Sequence, residues 1–201
     1  MHQARIPALS ALGLAVACGG SPTEPGLPAA PHGPVRATAS NTATVTPGGA
    51  SGSGSASTIT LTIGPTTTAT FQINAHKVRI VAGSICDPAT SGYGPAFWDR
   101  PCTPAKSTIK VTAKSWTDAG GHPVVTFSPD LRFVPGAGNT IWLMDKSAAA
   151  KKAGVLAWCP TDGSACVDES QTDPSLATDY TADGYAFRRL KHFSGYAVVV
   201  N

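Results

Sequence analysis

Residue types that catalyse reactions are sparse in the part of this chain that can fold. Of the five histidines, His2 and His32 lie in the N-terminal region, which leaves His76, His122 and His192 for a domain. A hydrolase needs a nucleophile, a base and an orienting group in one pocket, but the Gly-x-Ser-x-Gly pattern does not occur. His122 stands in a Gly-Gly-His-Pro turn, and His76 begins a strand. These positions favour a non-enzymatic domain.

Of the five cysteines, Cys18 lies in the N-terminal region and the other four lie in the part of the chain that can fold. Cys86 and Cys102 flank a loop rich in glycine, proline and aromatic residues, and Cys159 and Cys166 flank a short turn. In an exported protein local pairing is natural, so we expect disulfides between Cys86 and Cys102 and between Cys159 and Cys166. The alternative is a metal site of four thiolates, but neither pair has the Cys-x-x-Cys spacing of structural zinc sites. We expect no metal and no cofactor.

A run of carboxylates without a basic residue occupies residues 168–184. Clustered carboxylates can hold calcium, but their spacing here fits no EF-hand loop. A run of like charges is usually a solvated loop, and that is the expectation here. The carboxylates are Asp168, Glu169, Asp173, Asp179 and Asp183.

The loop closed by Cys86 and Cys102 is the candidate binding surface. Aromatic and arginine side chains dominate contact energies at interfaces, and this loop is rich in them. The alternative is that Trp98 simply covers one end of the domain. The candidate binding residues are Tyr93, Phe97, Trp98 and Arg100.

Carbohydrate recognition is a further class, because the four tryptophans offer flat faces on which sugars stack. Besides Trp98 these are Trp116, Trp142 and Trp158. Trp142 and Trp158 lie inside apolar strands, so we expect them in the core rather than on a binding face.

Period-two alternation of polar and apolar residues predicts eight or nine short strands in residues 59–201. Such strands, separated by turn signals, indicate an all-β, antiparallel β-sandwich. The segment 185–201 predicts one strand, a bend at Ser194-Gly195, and a second, apolar strand. Residues 147–154 predict a helical turn or two, with Ser147 as N-cap and a glycine after the end.

The N-terminal 58 residues carry export signals rather than a fold. Residues 1–18 form a short apolar segment that predicts a signal peptide, and the small residues before Cys18 resemble a bacterial lipobox, which predicts lipidation of that cysteine. The alternative is an ordinary signal peptide with a chance cysteine. Residues 19–58, rich in glycine, serine, proline and threonine, predict a disordered tether. Gly19, with no aspartate beside it, favours the outer membrane.

Charge composition bears on the partner. Fifteen basic and twelve acidic residues give a net charge of +3 with no dense basic cluster, which argues against nucleic acid. We therefore expect a membrane-anchored surface lipoprotein whose domain binds an unknown protein or a surface glycan.

Several segments together resemble the ZU-5 domain, which is named from zonula occludens proteins and netrin receptors and is also found in ankyrins. They are residues 76–84, residues 128–135 with the following strand 141–144, and the ending His-Phe-Ser-Gly-Tyr at 192–196. The resemblance covers roughly residues 75–201. It implies a β-sandwich that serves as an interaction module.

The same resemblance implies a second function for His192-Phe193-Ser194. In some ZU-5-containing proteins a His-Phe-Ser triplet is a self-cleavage site between Phe and Ser. The Ser194 hydroxyl would attack the preceding carbonyl, His192 would take its proton, and water would open the resulting ester. The alternative is a structural pair that hydrogen-bonds on one face of a strand.

Overall fold

The computed structural model describes residues 56–160 and 164–200, which contain ten β-strands and one short helix. In chain order they are β1 Ser57–Ile63, β2 Ala69–Ile73, β3 His76–Ile80, β4 Ile109–Thr117, β5 Pro123–Arg132, β6 Thr140–Met144, α1 Lys146–Lys151, β7 Val155–Cys159, β8 Asp179–Tyr180, β9 Tyr185–Arg189 and β10 His192–Val199.

The strands form two antiparallel sheets of five strands each. Sheet A has the order β1-β4-β5-β10-β7, and sheet B has the order β2-β3-β6-β9-β8. The expectation of an all-β antiparallel sandwich is therefore confirmed.

Alternation along the strands determines which side chains enter the space between the sheets. In β4, Val111 and Ala113 are fully buried while Lys110 and Lys114 are exposed. Removing a large aliphatic or aromatic side chain from water contributes about 1.5–3 kcal/mol, and eighteen such residues share one core cluster with three alanines. The burial of these residues holds the two sheets face to face.

Two tryptophans expected in the core lie elsewhere. Trp142 is half-buried on the outer face of sheet B, because it alternates with the buried Ile141 and Leu143 of β6. Trp158 is also half-buried and packs against the edge of the core cluster.

The C-terminal segment departs from the predicted break. The chain leaves sheet B after β9 and enters sheet A at β10. The two residues between these strands are Leu190, which is buried, and Lys191, which is half-buried. Ser194-Gly195 is therefore not a bend between two strands but an irregularity inside β10, where pairing with β5 shifts register. A Cβ at Gly195 would lie 2.3 Å from the carbonyl oxygen of Cys159, so glycine is required by close approach to β7.

Helix α1 begins earlier than predicted. Its N-cap is Asp145, whose carboxylate accepts a hydrogen bond from the Ala148 amide, and the Ser147 hydroxyl donates to that same carboxylate. A carboxylate accepts such bonds more strongly than a hydroxyl, and its charge also suits the helix N-terminus. At the other end Lys152 has φ +48°, so the left-handed cap precedes Gly154 by two residues.

Both expected disulfides form, Cys86 with Cys102 and Cys159 with Cys166. The expectations for the signal peptide, for Cys18 and for most of the tether fall outside the described residues. Sheet pairing begins at Ser57, opposite Ser115, so the last two tether residues belong to β1. In the described residues no helix is both long and apolar enough to span a membrane.

Candidate functional site

His192 is the centre of a buried polar cluster at the start of β10. Its side chain is fully buried, and its Nε2 lies 3.2 Å from Oε1 of Glu169. The other oxygen of Glu169 binds the guanidinium of Arg188, which projects inward from β9. Arg188 also donates to the Leu156 carbonyl at 2.9 Å. The sequence therefore places a carboxylate, an arginine and an imidazole in one water-excluded group.

Glu169 corrects the expectation that the acidic segment is a solvated loop. It is 5% exposed and opens a short 3-10 helix, Glu169–Gln171, whose N-cap is Asp168. Burying a carboxylate is costly unless it is paired and hydrogen-bonded. Arg188 and His192 supply that pairing, which is why Glu169 lies inside the protein.

The electrostatics of the pair fix the tautomer of His192. Burial lowers the pKa of His192, so the imidazole is neutral despite the opposing effect of Glu169. Burial opposes ionisation of Glu169, but the hydrogen bond with His192 and the charge of Arg188 outweigh it and lower its pKa. A charged carboxylate only accepts, so Nε2 carries the proton and Nδ1 presents a lone pair.

Two tyrosine hydroxyls face that lone pair. Tyr93 lies 3.4 Å and Tyr196 lies 3.3 Å from Nδ1. Each has a closer carbonyl acceptor: Tyr93 donates to the Phe193 carbonyl at 3.0 Å, and Tyr196 donates to the His192 carbonyl at 2.7 Å. Because each hydroxyl has one proton, Nδ1 remains an available base.

Ser194 is buried next to the Phe193 carbonyl that accepts from the Tyr93 hydroxyl. Its oxygen accepts a hydrogen bond from Trp158 Nε1 at 2.6 Å. Burial raises the pKa of Tyr93, and the nearby Ser194 side chain partly opposes that effect. The Tyr93 hydroxyl therefore interacts with His192 and with the carbonyl of the Phe193–Ser194 peptide bond, beside Ser194.

The loop between Cys86 and Cys102 covers this cluster. Trp98 stacks on the His192 ring with centroids 4.0 Å apart, and meets Trp158 edge-on at 4.7 Å. The loop is held by Arg132, which donates to the carbonyls of Phe97 and Arg100. The disulfide, the arginine and the stacked rings together exclude water from His192.

The four predicted binding residues therefore divide into two pairs. Trp98 is 7% exposed, and the Tyr93 hydroxyl points at β10, so both belong to the buried cluster. Phe97 is 37% exposed and Arg100 is exposed, with its guanidinium 5.4 Å from the centre of the Phe97 ring.

Sequence reasoning singled out His192 and Ser194 but missed the groups around them. Tyr196 follows His192 by four residues in the same strand, which is a signal available from the sequence. Glu169, Arg188 and Trp158 come from other elements and carry no local signal.

The other two histidines of the domain have separate roles. His76 is buried, its Nδ1 accepts the Met144 amide at 3.0 Å, and burial lowers its pKa to about 4. The partly exposed His122 lies 2.7 Å, through its Nδ1, from Oδ2 of the buried Asp145. Within residues 56–160 and 164–200, no three His, Cys, Asp or Glu side chains are grouped to hold a metal ion.

Comparison with known proteins adds no assignment: no family model, no curated protein and no solved structure matches this chain.

Proposed function

We propose that this domain cleaves its own backbone between Phe193 and Ser194. The observation that carries the proposal is the single hydroxyl of Tyr93, which donates to the carbonyl of that peptide bond and also lies 3.4 Å from Nδ1 of His192. The His-Phe-Ser triplet, to which the ZU-5 resemblance attaches self-cleavage, supports it from the sequence.

The first step moves the Phe193 acyl group from nitrogen to oxygen. Ser194 Oγ attacks the Phe193 carbonyl carbon while its proton passes to Tyr93, which gives its own proton to Nδ1 of His192. Tyr93 keeps the proton it has received and donates it in a hydrogen bond to the oxyanion, which places this hydroxyl in the role of an oxyanion-hole donor.

The peptide bond then breaks. The imidazolium returns the proton by the same route to the nitrogen of Ser194, which becomes a free amine as the C–N bond opens. The product is an ester between the Phe193 carbonyl and Ser194 Oγ. Glu169 holds the protonated side of the ring and stabilises the transient positive charge.

Hydrolysis of the ester consumes one water and gives a Phe193 carboxylate and a free Ser194 hydroxyl. Ser194 is 1% exposed and His192 is fully buried, so water must enter past the loop that contains Trp98. We expect this second step to be slower than the first.

Intact-mass analysis of the denatured full chain tests the proposal. We expect two fragments, one ending at Phe193 and one beginning at Ser194, whose masses sum to that of the chain plus one water. Hydroxylamine should increase the yield of the two fragments, because it cleaves the ester faster than water does, and should leave a hydroxamate on Phe193.

Matched variants assign the roles. Ser194→Ala should abolish cleavage, and Tyr93→Phe should slow it by about 10²-fold, the scale of losing one oxyanion donor. Tyr180→Phe is the control, because the Tyr180 hydroxyl binds carbonyls of residues 153 and 154 instead. A single full-length mass with and without hydroxylamine would overturn the proposal.

A second candidate role is that of an exported, lipid-anchored interaction domain. The observation that favours it is the exposed Phe97, which Arg100 partly covers on the outside of the disulfide-closed loop. Both residue types dominate interface energies, and two disulfides suit an oxidising compartment.

Anchoring and binding are tested separately. Cys18 should incorporate labelled palmitate in growing cells, and Cys18→Ser should release the protein into the soluble fraction. Cross-linking on intact cells should then capture a partner that is lost in Phe97→Ala and retained in Val167→Ala, a second exposed apolar residue. An unlabelled, soluble wild type would contradict the anchor.

A further inference from the structure

The outer face of sheet B combines flat aromatic rings with basic side chains. Register places five outward residues in one row across the sheet. From edge to edge they are Gln72, Lys77, Trp142, Phe187 and Asp179. A second row, one pleat away, contains Thr70, Arg79, Thr140 and Arg189.

The centre of the first row is an aromatic platform. The rings of Trp142 and Phe187 lie 6.2 Å apart and only 20° from parallel, and both are half-buried. Each therefore keeps part of its surface in contact with solvent. Neighbouring strands lie about 5 Å apart, so the two nearly parallel rings form a flat apolar strip that spans two strands.

Three cations border that strip. Lys77 pairs with Trp142 in register, and Arg79 and Arg189 lie on either side of Thr140. Arg79 and Arg189 are thus two strands apart, about 10 Å, while Lys77 and Arg79 are about 7 Å apart along β3. Both arginines are exposed.

The contacts of these arginines leave donors for a ligand. Arg189 donates through one nitrogen to the Gly136 and Ala137 carbonyls, and Arg79 donates through one to Gly138. Because a guanidinium has five N–H groups, each keeps further donors. Lys191, which lies between β9 and β10 and outside both rows, is already paired, since Asp99 and Asp173 both bind its ammonium group.

We propose that this face binds an acidic polysaccharide, with sugar rings stacked on Trp142 and Phe187 and their carboxylates bound by Arg79 and Arg189. The weakly polar C–H face of a pyranose matches an aromatic surface. Carboxylates match the guanidinium fork. Thr140, between the two arginines, offers a hydroxyl to sugar hydroxyls. This inference is independent of the Phe193–Ser194 bond.

The edge of the row favours a sugar over a single-stranded nucleic acid, which also combines stacking with cations. Asp179 is exposed and pairs with Phe187, so it adjoins the platform. A carboxylate there accepts hydrogen bonds from the hydroxyls of a sugar stacked on the platform, while the carboxylates of the polymer lie one row away, at Arg79 and Arg189. The net charge of +3 for the whole chain is also small for a nucleic-acid binder.

Binding of oligogalacturonate to the purified full chain, measured by isothermal titration, tests this proposal. The double variant Arg79→Gln/Arg189→Gln should lose about tenfold or more in affinity, as should Trp142→Leu, which keeps apolar cover but removes the flat ring. Lys110→Gln/Lys114→Gln is the matched control, because it removes two charges from the exposed face of β4 in sheet A. It should stay within about twofold of wild type.

Four outcomes overturn the proposal. They are no binding by the wild type, an equal loss in the sheet A control, equal affinity for a neutral oligosaccharide of the same length, and tighter binding of oligo(dT). Circular dichroism of each variant at the titration temperature separates lost binding from lost folding. Affinity that falls with added salt supports the ionic contribution.

Discussion

Two histidine–carboxylate pairs in this domain have the same chemical components, but their histidines differ in exposure. In the first, the His192 and Glu169 side chains are 0% and 6% exposed, and the disulfide-closed loop covers His192. In the second, the Asp145 side chain, which caps helix α1, is 4% exposed, but the His122 side chain is 22% exposed. Only the first pair adjoins a peptide bond with which a tyrosine hydroxyl interacts.

The difference lies in what each carboxylate must do. Glu169 balances a buried arginine, so its removal leaves a charge in a medium that cannot solvate it. Asp145 is also buried, but it accepts from the Ala148 amide and the Ser147 hydroxyl at the start of helix α1, and its histidine partner is partly exposed. Identical residue types therefore support a core in one place and finish a helix in the other.

The largest expected effect comes from the buried pair. Glu169→Gln should destabilise the domain by about 3–5 kcal/mol, because Arg188 remains buried without a counter-charge. Urea unfolding measures the change. A loss below about 1 kcal/mol would show that Arg188 is solvated in the native state, and the contrast between the two pairs would disappear.

Acid should weaken the fold through its buried histidines. The pKa of His76 in the fold is about 4, below the usual 6.5, so the native state binds fewer protons. Its contribution is complete above about pH 6.5 and is lost as pH falls towards 4, by up to about 3 kcal/mol. His192 shifts in the same direction.

His76→Gln checks this prediction, because glutamine can still accept the Met144 amide but does not titrate. Stability measured from pH 7 to 4 should fall less steeply in the variant. Equal slopes in variant and wild type would mean that His76 is protonated in the native domain.

The disulfide over the buried pair should matter more than the other one. Its sequence separation is 16 residues against 7, and in the chain-entropy model these loops contribute about 3 and about 2 kcal/mol. Cys86→Ser/Cys102→Ser should also free Tyr93 and Trp98 and reduce cleavage. The comparison variant is Cys159→Ser/Cys166→Ser, which removes the other disulfide. Equal melting temperatures of the two double variants would contradict this ordering.

The smallest effects belong to the His122–Asp145 pair, whose histidine is partly exposed. Asp145→Ala should cost about 1 kcal/mol, the usual value of a helix N-cap. His122→Gln should cost less than about 1 kcal/mol, because the contact is partly solvated. A double-mutant cycle separates the cap from the ion pair. If either change matched Glu169→Gln, exposure would not be what distinguishes the pairs.

Local patterns were sufficient for most strands, but not for β8 or the β9–β10 boundary, and for both disulfides. Alternation in β4 and the apolar run of β10 each reflect a sheet face, and the cysteine pairs are close in the chain. Long-range contacts were not predictable. Glu169 is buried because Arg188, 19 residues later in β9, binds it, and no period connects them.

Three local expectations were wrong: that Glu169 is solvated, that Trp142 is core, and that the chain bends at Ser194-Gly195. In two of them another strand decides, because Arg188 of β9 draws Glu169 inward and the Cys159 carbonyl of β7 requires a glycine at residue 195. Trp142 points outward because of the pleat of its own strand β6. A single sequence does not identify which strand is the neighbour.

The place of β10 has a consequence for how the protein folds during synthesis. It lies between β5 and β7 and comes after both in the chain. Until residues 192–199 have left the ribosome, β5 and β7 each present an unpaired inner edge. Sheet A therefore stays open until its closing strand arrives.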